Sequence, residues 1–179
     1  KGYNVPNASR TSKGIPVVNL LKLNKDEHVT ELVPMQKDSK AEYLFFITKK
    51  GLVKRVKTQE FDSIRNNGKI AITLRDDDEL FNVKATTGED EIIIAGSNGK
   101  AIRFDESEIR VMGRTASGVR GFNTDGSVVV GAATSNEGTY LLSVSENGYG
   151  KKSEIDEYRK TNRGSKGVKT MNITTKTGS

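Results

Sequence analysis

The sequence predicts an all-β protein built from a repeated four-stranded, propeller-like unit. A glycine followed four residues later by a cation recurs at Gly51, Gly99 and Gly148, which are 48 and 49 residues apart. Short apolar runs about 12 residues apart are bounded by turn residues and show no stripe with helical spacing. Four strands in about 50 residues is the size of a propeller blade, so each repeat is predicted to form one blade.

A hairpin is expected at the centre of each unit. The apolar runs that start at Tyr43, Glu91 and Tyr140 each begin eight residues before the unit's glycine. Asn98-Gly99 and Asn147-Gly148 favour a type I′ turn, because both of its central residues need positive φ, and Lys50-Gly51 is a weaker version. The run Ile92-Ile93-Ile94 is apolar on both faces, which predicts a strand covered on both sides.

A second marker, an arginine shortly before a glycine, closes each unit. It occurs at 10–14, 65–68, 114–118 and 163–167. A glycine-led strand, such as 68–74 or 118–122, is expected to open the next unit, followed by an acidic turn and a strand near 78–85. The predicted division is a preceding blade or linker at 1–13, blades at 14–67, 68–117 and 118–166, and the first strand of a further blade at 167–179.

The number of units predicts that the 179 residues are part of a larger domain. Propellers close with about four to eight blades, and three units are too few for a ring. The first residue is not methionine, which agrees with an excised piece of a longer chain.

Composition excludes several functional classes. The chain has no Cys and one His, which excludes disulfides, thiolate zinc sites and a cysteine nucleophile, and leaves His28, in a polar turn, as a poor basis for catalysis. No apolar run approaches the roughly 18 residues of a membrane helix. The acidic run 76–79 lacks the EF-hand spacing and is interpreted as a solvated hairpin tip. No cofactor or metal is expected.

The charge is unevenly distributed along the chain. The net charge is +6, but residues 76–99 carry one basic and seven acidic side chains, so the remainder is strongly basic. Basic surfaces most often bind nucleic acid. Two alternatives stay open, namely lysines that only guard sheet edges and a scaffold that binds an acidic protein.

Three stretches carry a specific family resemblance. Residues 9–21, the segment from Met112 to Gly121, and residues 146–169 with Asn147-Gly148-Tyr149-Gly150-Lys151-Lys152 resemble the C-terminal domain of the DNA gyrase A subunit. The resemblance implies a β-pinwheel, which is propeller-like, has six blades in the full domain and exchanges strands between neighbouring blades. The gyrase box, of the type Gln-Arg-Arg-Gly-Gly-Arg-Gly, is absent from these residues. The related topoisomerase IV domain therefore remains an alternative.

The resemblance also implies a function, the non-catalytic wrapping of duplex DNA around a basic rim, which allows negative supercoiling by the parent type II topoisomerase. The implied partners are DNA, the remainder of gyrase A and the gyrase B subunit in an A2B2 complex, in the bacterial cytoplasm and away from membranes. The family's catalytic tyrosine lies in the N-terminal half, so none of the tyrosines here inherits its role: Tyr3, Tyr43, Tyr140, Tyr149 and Tyr158. A hydrolytic propeller enzyme is disfavoured, because no cluster of His, Cys or carboxylates is visible.

Repeated cations are the candidate DNA contacts, because arginine donates paired hydrogen bonds to phosphate and nearby glycines allow close backbone approach. No set of side chains is arranged for base edges, which predicts sequence-tolerant binding. The boundary arginines could instead pair with the recurring Glu60, Glu108 and Glu157, whereas adjacent cations at 54–55 and 151–152 favour DNA. The candidates are Arg10, Lys13, Lys49, Lys50, Lys54, Arg55, Arg65, Lys69, Arg103, Arg114, Arg120, Lys151, Lys152, Arg163, Lys166 and Lys169.

Overall fold

The computed structural model describes residues 5–35, 39–63 and 68–178. Regular structure in these residues consists of ten strands, whose pairings are all antiparallel, and short 3-10 turns, with no α-helix. The predicted all-β architecture is confirmed. None of the described segments is a helix of the length and apolarity needed to cross a membrane. The 3-10 turns span Val17–Asn19, Thr58–Phe61, Glu106–Glu108, Ser135–Glu137 and Ile155–Glu157.

Two four-stranded sheets and one two-stranded sheet contain all ten strands. Sheet 1 has the order β3-β1-β2-β6 and sheet 2 the order β10-β5-β4-β7, while β8 and β9 form sheet 3. The strands are β1 Tyr43–Thr48, β2 Leu52–Lys57, β3 Leu80–Thr86, β4 Glu91–Gly96, β5 Lys100–Asp105, β6 Val119–Arg120, β7 Val129–Thr134, β8 Tyr140–Val144, β9 Gly150–Glu154 and β10 Val168–Lys169.

The three predicted hairpins all form, with a different turn from the one expected. Gly51, Gly99 and Gly148 have φ of 81°, 72° and 80°, but neither Asn98 nor Asn147 has positive φ. The first two loops therefore hold three residues, with glycine in the left-handed position after a turn closed by its own N–H. A type I turn followed by a left-handed glycine is the common three-residue hairpin loop, and it replaces the predicted type I′ turn.

Strand exchange joins units that are distant in sequence. Each four-stranded sheet contains one hairpin, a strand from the following unit and a two-residue strand from the unit after that. In sheet 1, Val119 of β6 lies opposite Val53, and in sheet 2, Val168 of β10 lies opposite Ala101. The exchange implied by the family resemblance is therefore present, and the division into blades at 14–67, 68–117 and 118–166 stays a prediction.

The predicted strand at 68–74 is wrong, because these residues form no strand and Ile70 is 63% exposed. The exchanged strands β6 and β10 pair with residues 66 or 67 positions earlier, as Val119 with Val53 and Val168 with Ala101 show. The same offset from Ile70 leads to about residue 4, which lies outside the described residues. The segment 68–74 thus has no partner strand among the described residues. The following predicted strand, near 78–85, is confirmed as β3.

The main core lies between sheets 1 and 2. Phe45 and Ile47 of sheet 1 meet Ile92, Ile94 and Phe104 of sheet 2, all fully buried. The rings of Phe45 and Phe104 are 6.4 Å apart. Sheet 1 buries its other face in a second cluster around Phe46 and Val56, and Ile93 is buried on the other face of sheet 2. The prediction that the isoleucine run is covered on both sides is confirmed.

The boundary glycines offer a direct test of strand exchange. Gly118 has φ of 94°, and a Cβ there would lie 2.5 Å from the carbonyl oxygen of Val53. Gly68, its counterpart one unit earlier, has φ of 75°, and a Cβ there would meet no atom of the described residues within 4 Å. Gly68→Ala should therefore cost only the left-handed strain of about 1–2 kcal/mol, whereas Gly118→Ala should cost clearly more and displace β6. Urea denaturation of both variants measures the difference. Equal losses would show that β6 docking contributes nothing to stability.

Candidate nucleic-acid interface

The predicted DNA contacts fall into three classes by exposure and partners, apart from Arg65, which lies outside the described residues. Four are locked, meaning buried or half-buried and bonded to other parts of the chain: Lys54, Arg55, Arg103 and Arg114. Four are guarded, meaning exposed and paired with a carboxylate: Lys49, Lys50, Lys151 and Lys166. Seven are free, meaning exposed with no carboxylate partner in the described ranges: Arg10, Lys13, Lys69, Arg120, Lys152, Arg163 and Lys169.

Lys54 is a structural residue. Its side chain points from β2 beneath the boundary loop, where its ammonium group donates to the carbonyl oxygens of Gly113, Arg114 and Ala116 at 3.2, 2.5 and 3.0 Å. Burial, with a smaller contribution from the charge of Arg114, lowers the pKa of Lys54 to about 8. All three N–H groups are used within the chain, and the residue is completely buried. The prediction that Lys54 contacts DNA is therefore corrected.

Arg103 joins sheet 2 to the unit that follows it. Its guanidinium group contacts Glu91 at 2.6 Å and Asp156 at 2.9 Å, and donates to the carbonyl oxygens of Ile155 and Tyr158. Burial opposes the charge, but the hydrogen bonds with Glu91 and Asp156 prevail and raise the pKa of Arg103. The residue predicted to face DNA instead lies between two units.

Arg55 occupies the equivalent place between sheets 1 and 2. Its guanidinium carbon lies 4.6 Å from the centre of the Tyr43 ring and its Nη1 atom 3.8 Å from Glu106. Glu106 is fully buried and also accepts hydrogen bonds from the Thr86 hydroxyl and from the N–H groups of Gly88 and Asp90. The carboxylate therefore has donors besides the arginine, whereas the buried Nε of Arg55 has no hydrogen-bond partner among the described residues.

The inter-unit pairing left open by the sequence is also present at the boundary arginines. Arg114 lies 3.6 Å from Glu60 and donates to the carbonyl oxygen of Ile70. Glu108 accepts the backbone N–H of Arg163 at 2.9 Å, which leaves the Arg163 side chain outside that contact. Arg114 thus contacts a recurring glutamate through its side chain, whereas Arg163 contacts the next one only through its backbone N–H.

Each hairpin cation has a partner that the sequence analysis missed. The partner is the residue that starts the apolar run, eight positions before the glycine: Tyr43 for Arg55, Glu91 for Arg103 and Tyr140 for Lys152. Lys152 lies 3.9 Å above the Tyr140 ring and both are exposed. An aromatic ring or a carboxylate at this position stabilises a nearby cation, so the recurrence of Tyr or Glu there was a readable signal.

Two of the four guarded lysines lie at the tip of the first hairpin, where a turn from the following unit approaches them. Lys49 contacts Glu79 at 2.6 Å and Lys50 contacts Asp77. Hydrogen bonds from these lysines lower the pKa values of Glu79 and Asp77. Asp78 is 8% exposed and accepts the N–H groups of Lys50 and Glu79, so the acidic turn packs against the first hairpin tip. The interpretation of 76–79 as a solvated tip is wrong at Asp78.

Basic side chains gather where β6, β10 and the boundary loop 161–167 meet. Arg163 donates to the carbonyl oxygen of Arg120, and Lys169 lies directly opposite Lys100 in the β10–β5 register. Like charges opposite one another in a sheet repel, which favours a bound anion. Asp125 lies 2.8 Å from Lys166 and 3.7 Å from Lys100. We call this group the basic cluster, and it consists of Lys100, Arg120, Arg163, Lys166 and Lys169.

Two further exposed cations were missed by the sequence analysis. Arg110 and Arg159 each follow the recurring apolar residue, Ile109 or Tyr158, and neither has a partner within the described part of the chain. Their equal position in successive units was a usable signal. In the ranges 5–35, 39–63 and 68–178, no group of three His, Cys, Asp or Glu side chains could hold a metal ion.

The fold and this site define an antiparallel β domain of the propeller class, with exchanged strands and exposed cations at unit junctions. The family described as "DNA gyrase C-terminal domain, beta-propeller" matches residues 1–34, 42–87, 90–136 and 139–178. The chain therefore belongs to this family, and the resemblance seen in the sequence is confirmed.

The A subunits of DNA gyrase from several bacteria are similar to almost the whole chain. The protein of Ureaplasma parvum serovar 3 is 48% identical over 99% of the chain, and that of Staphylococcus aureus strain MRSA252 is 47% identical over 99%. The chain spans 21% and 20% of their lengths.

Two solved structures share the fold. The DNA gyrase A C-terminal domain has a TM-score of 0.81 at 26% identity, covering 93% of this chain and 56% of that one. The C-terminal domain of DNA topoisomerase IV has a TM-score of 0.77 at 28% identity, covering 87% and 49%.

Removal of Arg103 should destabilise the fold much more than removal of an exposed arginine. Arg103→Met removes one of the two cations that contact Glu91, since Lys160 stays at 2.6 Å, and it leaves the carbonyl oxygens of Ile155 and Tyr158 without their side-chain donor. Leaving buried polar groups without a partner typically costs about 1–3 kcal/mol. Arg159→Met, a matched control with no partner among the described residues, should change the free energy of unfolding by less than about 0.5 kcal/mol. Urea denaturation measures both values. Similar small losses would show that the network around Arg103 is not structural.

The lowered pKa of Lys54 predicts a pH dependence of stability. Between about pH 8 and the ordinary value of 10.5, the unfolded chain binds more protons at this site than the folded chain. The free energy of unfolding should therefore rise with pH across this window. Lys54→Met should lack this pH dependence, because the titrating group is absent. Urea denaturation at several pH values measures the free energy of unfolding of both proteins, and the difference between them isolates the contribution of Lys54. A parallel pH dependence of the two proteins would contradict the assignment.

Proposed function

We propose that this chain is a DNA-binding and DNA-wrapping module of a bacterial DNA gyrase A protein. The observation that carries the proposal is the basic cluster, where five cations lie near only two carboxylates of the described residues, those of Asp125 and Glu108. The Glu108 carboxylate accepts the backbone N–H of Arg163, so in the described part of the chain only Asp125 pairs with side chains of the cluster. Family membership and the similarity to gyrase A proteins support the same function. Identity near 47% to these proteins favours gyrase over topoisomerase IV.

The physical basis of binding is the release of counterions from the duplex. DNA carries about one negative charge per 1.7 Å of axis, and each phosphate neutralised by a protein cation releases condensed ions. Free cations supply this neutralisation at no cost to the fold, because no internal pair has to break. Locked cations such as Arg103 and Lys54 cannot do so without leaving buried groups unpaired.

Unit junctions, rather than the hairpin strands that carry Lys54, Arg55 and Arg103, are the main proposed DNA contacts. The free cations at Arg10, Lys13, Lys69, Arg120, Arg163 and Lys169 all lie beside a unit boundary. Recurrence at each boundary presents charge at repeated intervals, which suits a bent polymer with regular phosphates. Contacts of this kind are to backbone phosphates, so the binding is sequence-tolerant and depends on the bending energy of the DNA.

The proposed module is non-catalytic and needs no cofactor. Tyr43, Tyr140 and Tyr149 lie beside the cations Arg55, Lys152 and Lys176, and Tyr158 is buried, which supports structural or cation-binding roles for these tyrosines. Its proposed partners are duplex DNA, the remainder of gyrase A and gyrase B, in the cytoplasm. A protein-interaction scaffold is the second candidate, because a basic cluster also fits an acidic protein.

Neutralising the basic cluster should weaken DNA binding and reduce its salt dependence. The variant Arg120→Gln/Arg163→Gln/Lys169→Gln removes three phosphate contacts, which should make the slope of log affinity against log salt shallower by up to about 2.7. Fluorescence anisotropy with a labelled duplex of about 40 base pairs measures the slope.

A charge-matched control separates the cluster from net charge. Lys22→Gln/Lys25→Gln/Lys40→Gln removes three exposed cations that have no partner among the described residues and lie outside the cluster. The control should keep the wild-type slope within about one unit. Equal losses in both variants would contradict a specific site. Absence of duplex binding by the folded wild type at low salt would contradict the proposed function and favour the scaffold.

A further inference from the structure

The same arrangement of lysines and acidic turns occurs in both four-stranded sheets. In sheet 1 the tip lysines Lys49 and Lys50 contact Glu79 and Asp77, which lie just ahead of β3. In sheet 2 the lysine is Lys100, which follows the tip glycine as the first residue of β5 and lies 3.7 Å from Asp125, four residues ahead of β7. Because β3 and β7 hold equivalent places beside β1 and β4, the acidic turns are structurally equivalent.

These contacts differ from the locked pairs in their exposure. The side chains of Lys49 and Glu79 are 46% and 67% exposed, whereas those of Arg103 and Glu91 are 13% and 17% exposed. Exposed ion pairs add little to stability, because water and salt screen them. A carboxylate can therefore leave a tip lysine without loss of the fold, which is not true of Glu91.

We propose that the two acidic turns are internal competitors for the DNA phosphates. In the free protein, the carboxylates of the acidic turns form ion pairs with Lys49, Lys50, Lys100 and Lys166. These carboxylates belong to Asp77, Glu79 and Asp125. When a duplex binds, its phosphates replace these carboxylates, and the tips join the free cations in contact with DNA. The inference rests on the proposed function and adds a residue-level limit on affinity, since each lysine paired with an acidic turn exchanges one anion for another.

Asp125 is the most informative position. It has φ of 55°, the one positive value for a non-glycine residue in the described chain, and it pairs with two lysines, Lys100 and Lys166. Asn adopts this left-handed conformation as readily as Asp does. Asp125→Asn therefore removes the competing charge and leaves the turn intact, which releases two members of the basic cluster.

Charge removal at the acidic turns should tighten DNA binding and make it more salt-dependent. Asp125→Asn and the double variant Asp77→Asn/Glu79→Gln should each bind a duplex of about 40 base pairs at least about fivefold more tightly near 50 mM salt. Each freed lysine that reaches a phosphate should steepen the slope of log affinity against log salt by about 0.9. The melting temperature should stay within a few degrees of wild type.

Matched controls carry the same change in net charge without freeing a lysine. Asp76 lies in the acidic turn and Glu89 is exposed near β4, and neither side chain has a partner among the described residues. Asp76→Asn is the control for Asp125→Asn. Asp76→Asn/Glu89→Gln is the control for Asp77→Asn/Glu79→Gln. Both controls should keep the wild-type salt slope.

The outcomes separate the inference from the proposed function. Wild-type slopes in both acidic-turn variants, with duplex binding intact, would overturn the competition and leave the DNA-binding function standing. Steeper slopes in the controls as well would also overturn it, because net charge alone would then explain the change. A folded wild type that binds no duplex at low salt would remove the proposed function itself.

Discussion

The rest of the structure depends on one close backbone contact, between the boundary glycine Gly118 and the hairpin two units earlier. At Gly118 the chain turns with positive φ directly against the carbonyl oxygen of Val53, where no side chain fits. This approach lets β6 complete sheet 1, and it places the loop ahead of it over Lys54. The buried ammonium group then supplies the donors that three loop carbonyl oxygens lack. The glycine, the lysine and the exchanged strand therefore stabilise one another.

The two junctions between successive sheets solve the same packing problem with different chemistry. Sheets 1 and 2 meet through large apolar side chains, with Phe45 against Phe104. Between sheets 2 and 3 the facing residues are smaller, and a cavity of about 440 Å³ remains, lined by Ile93, Ala133 and Leu141 among others. The second junction therefore depends more on the polar network that joins Arg103 to Asp156 and to the carbonyl oxygens of Ile155 and Tyr158 than on apolar contact.

The fold was largely predictable from the sequence, because hairpins and exchange leave local marks. Glycine at fixed offsets specified the hairpins, and the boundary glycines marked the exchanged strands. Pairing partners were harder to foresee, since β6 joins a strand 66 residues away and nothing local distinguishes it from 68–74. The turn type was missed because a glycine with positive φ fits both a two-residue and a three-residue loop.

The candidate site was predicted less completely than the fold, because a repeated charge carries two different functions. Arg55, Arg103 and Lys152 share one offset, yet the first two are enclosed by the following unit while Lys152 is exposed above Tyr140. A side chain that must neutralise a buried carboxylate in every unit recurs as regularly as one that contacts DNA in every unit. Repetition alone therefore cannot separate structural from DNA-binding cations. The separation comes from the partner of each cation, since a charge bonded within the core is already neutralised and only an unpaired or weakly paired charge can bind a phosphate.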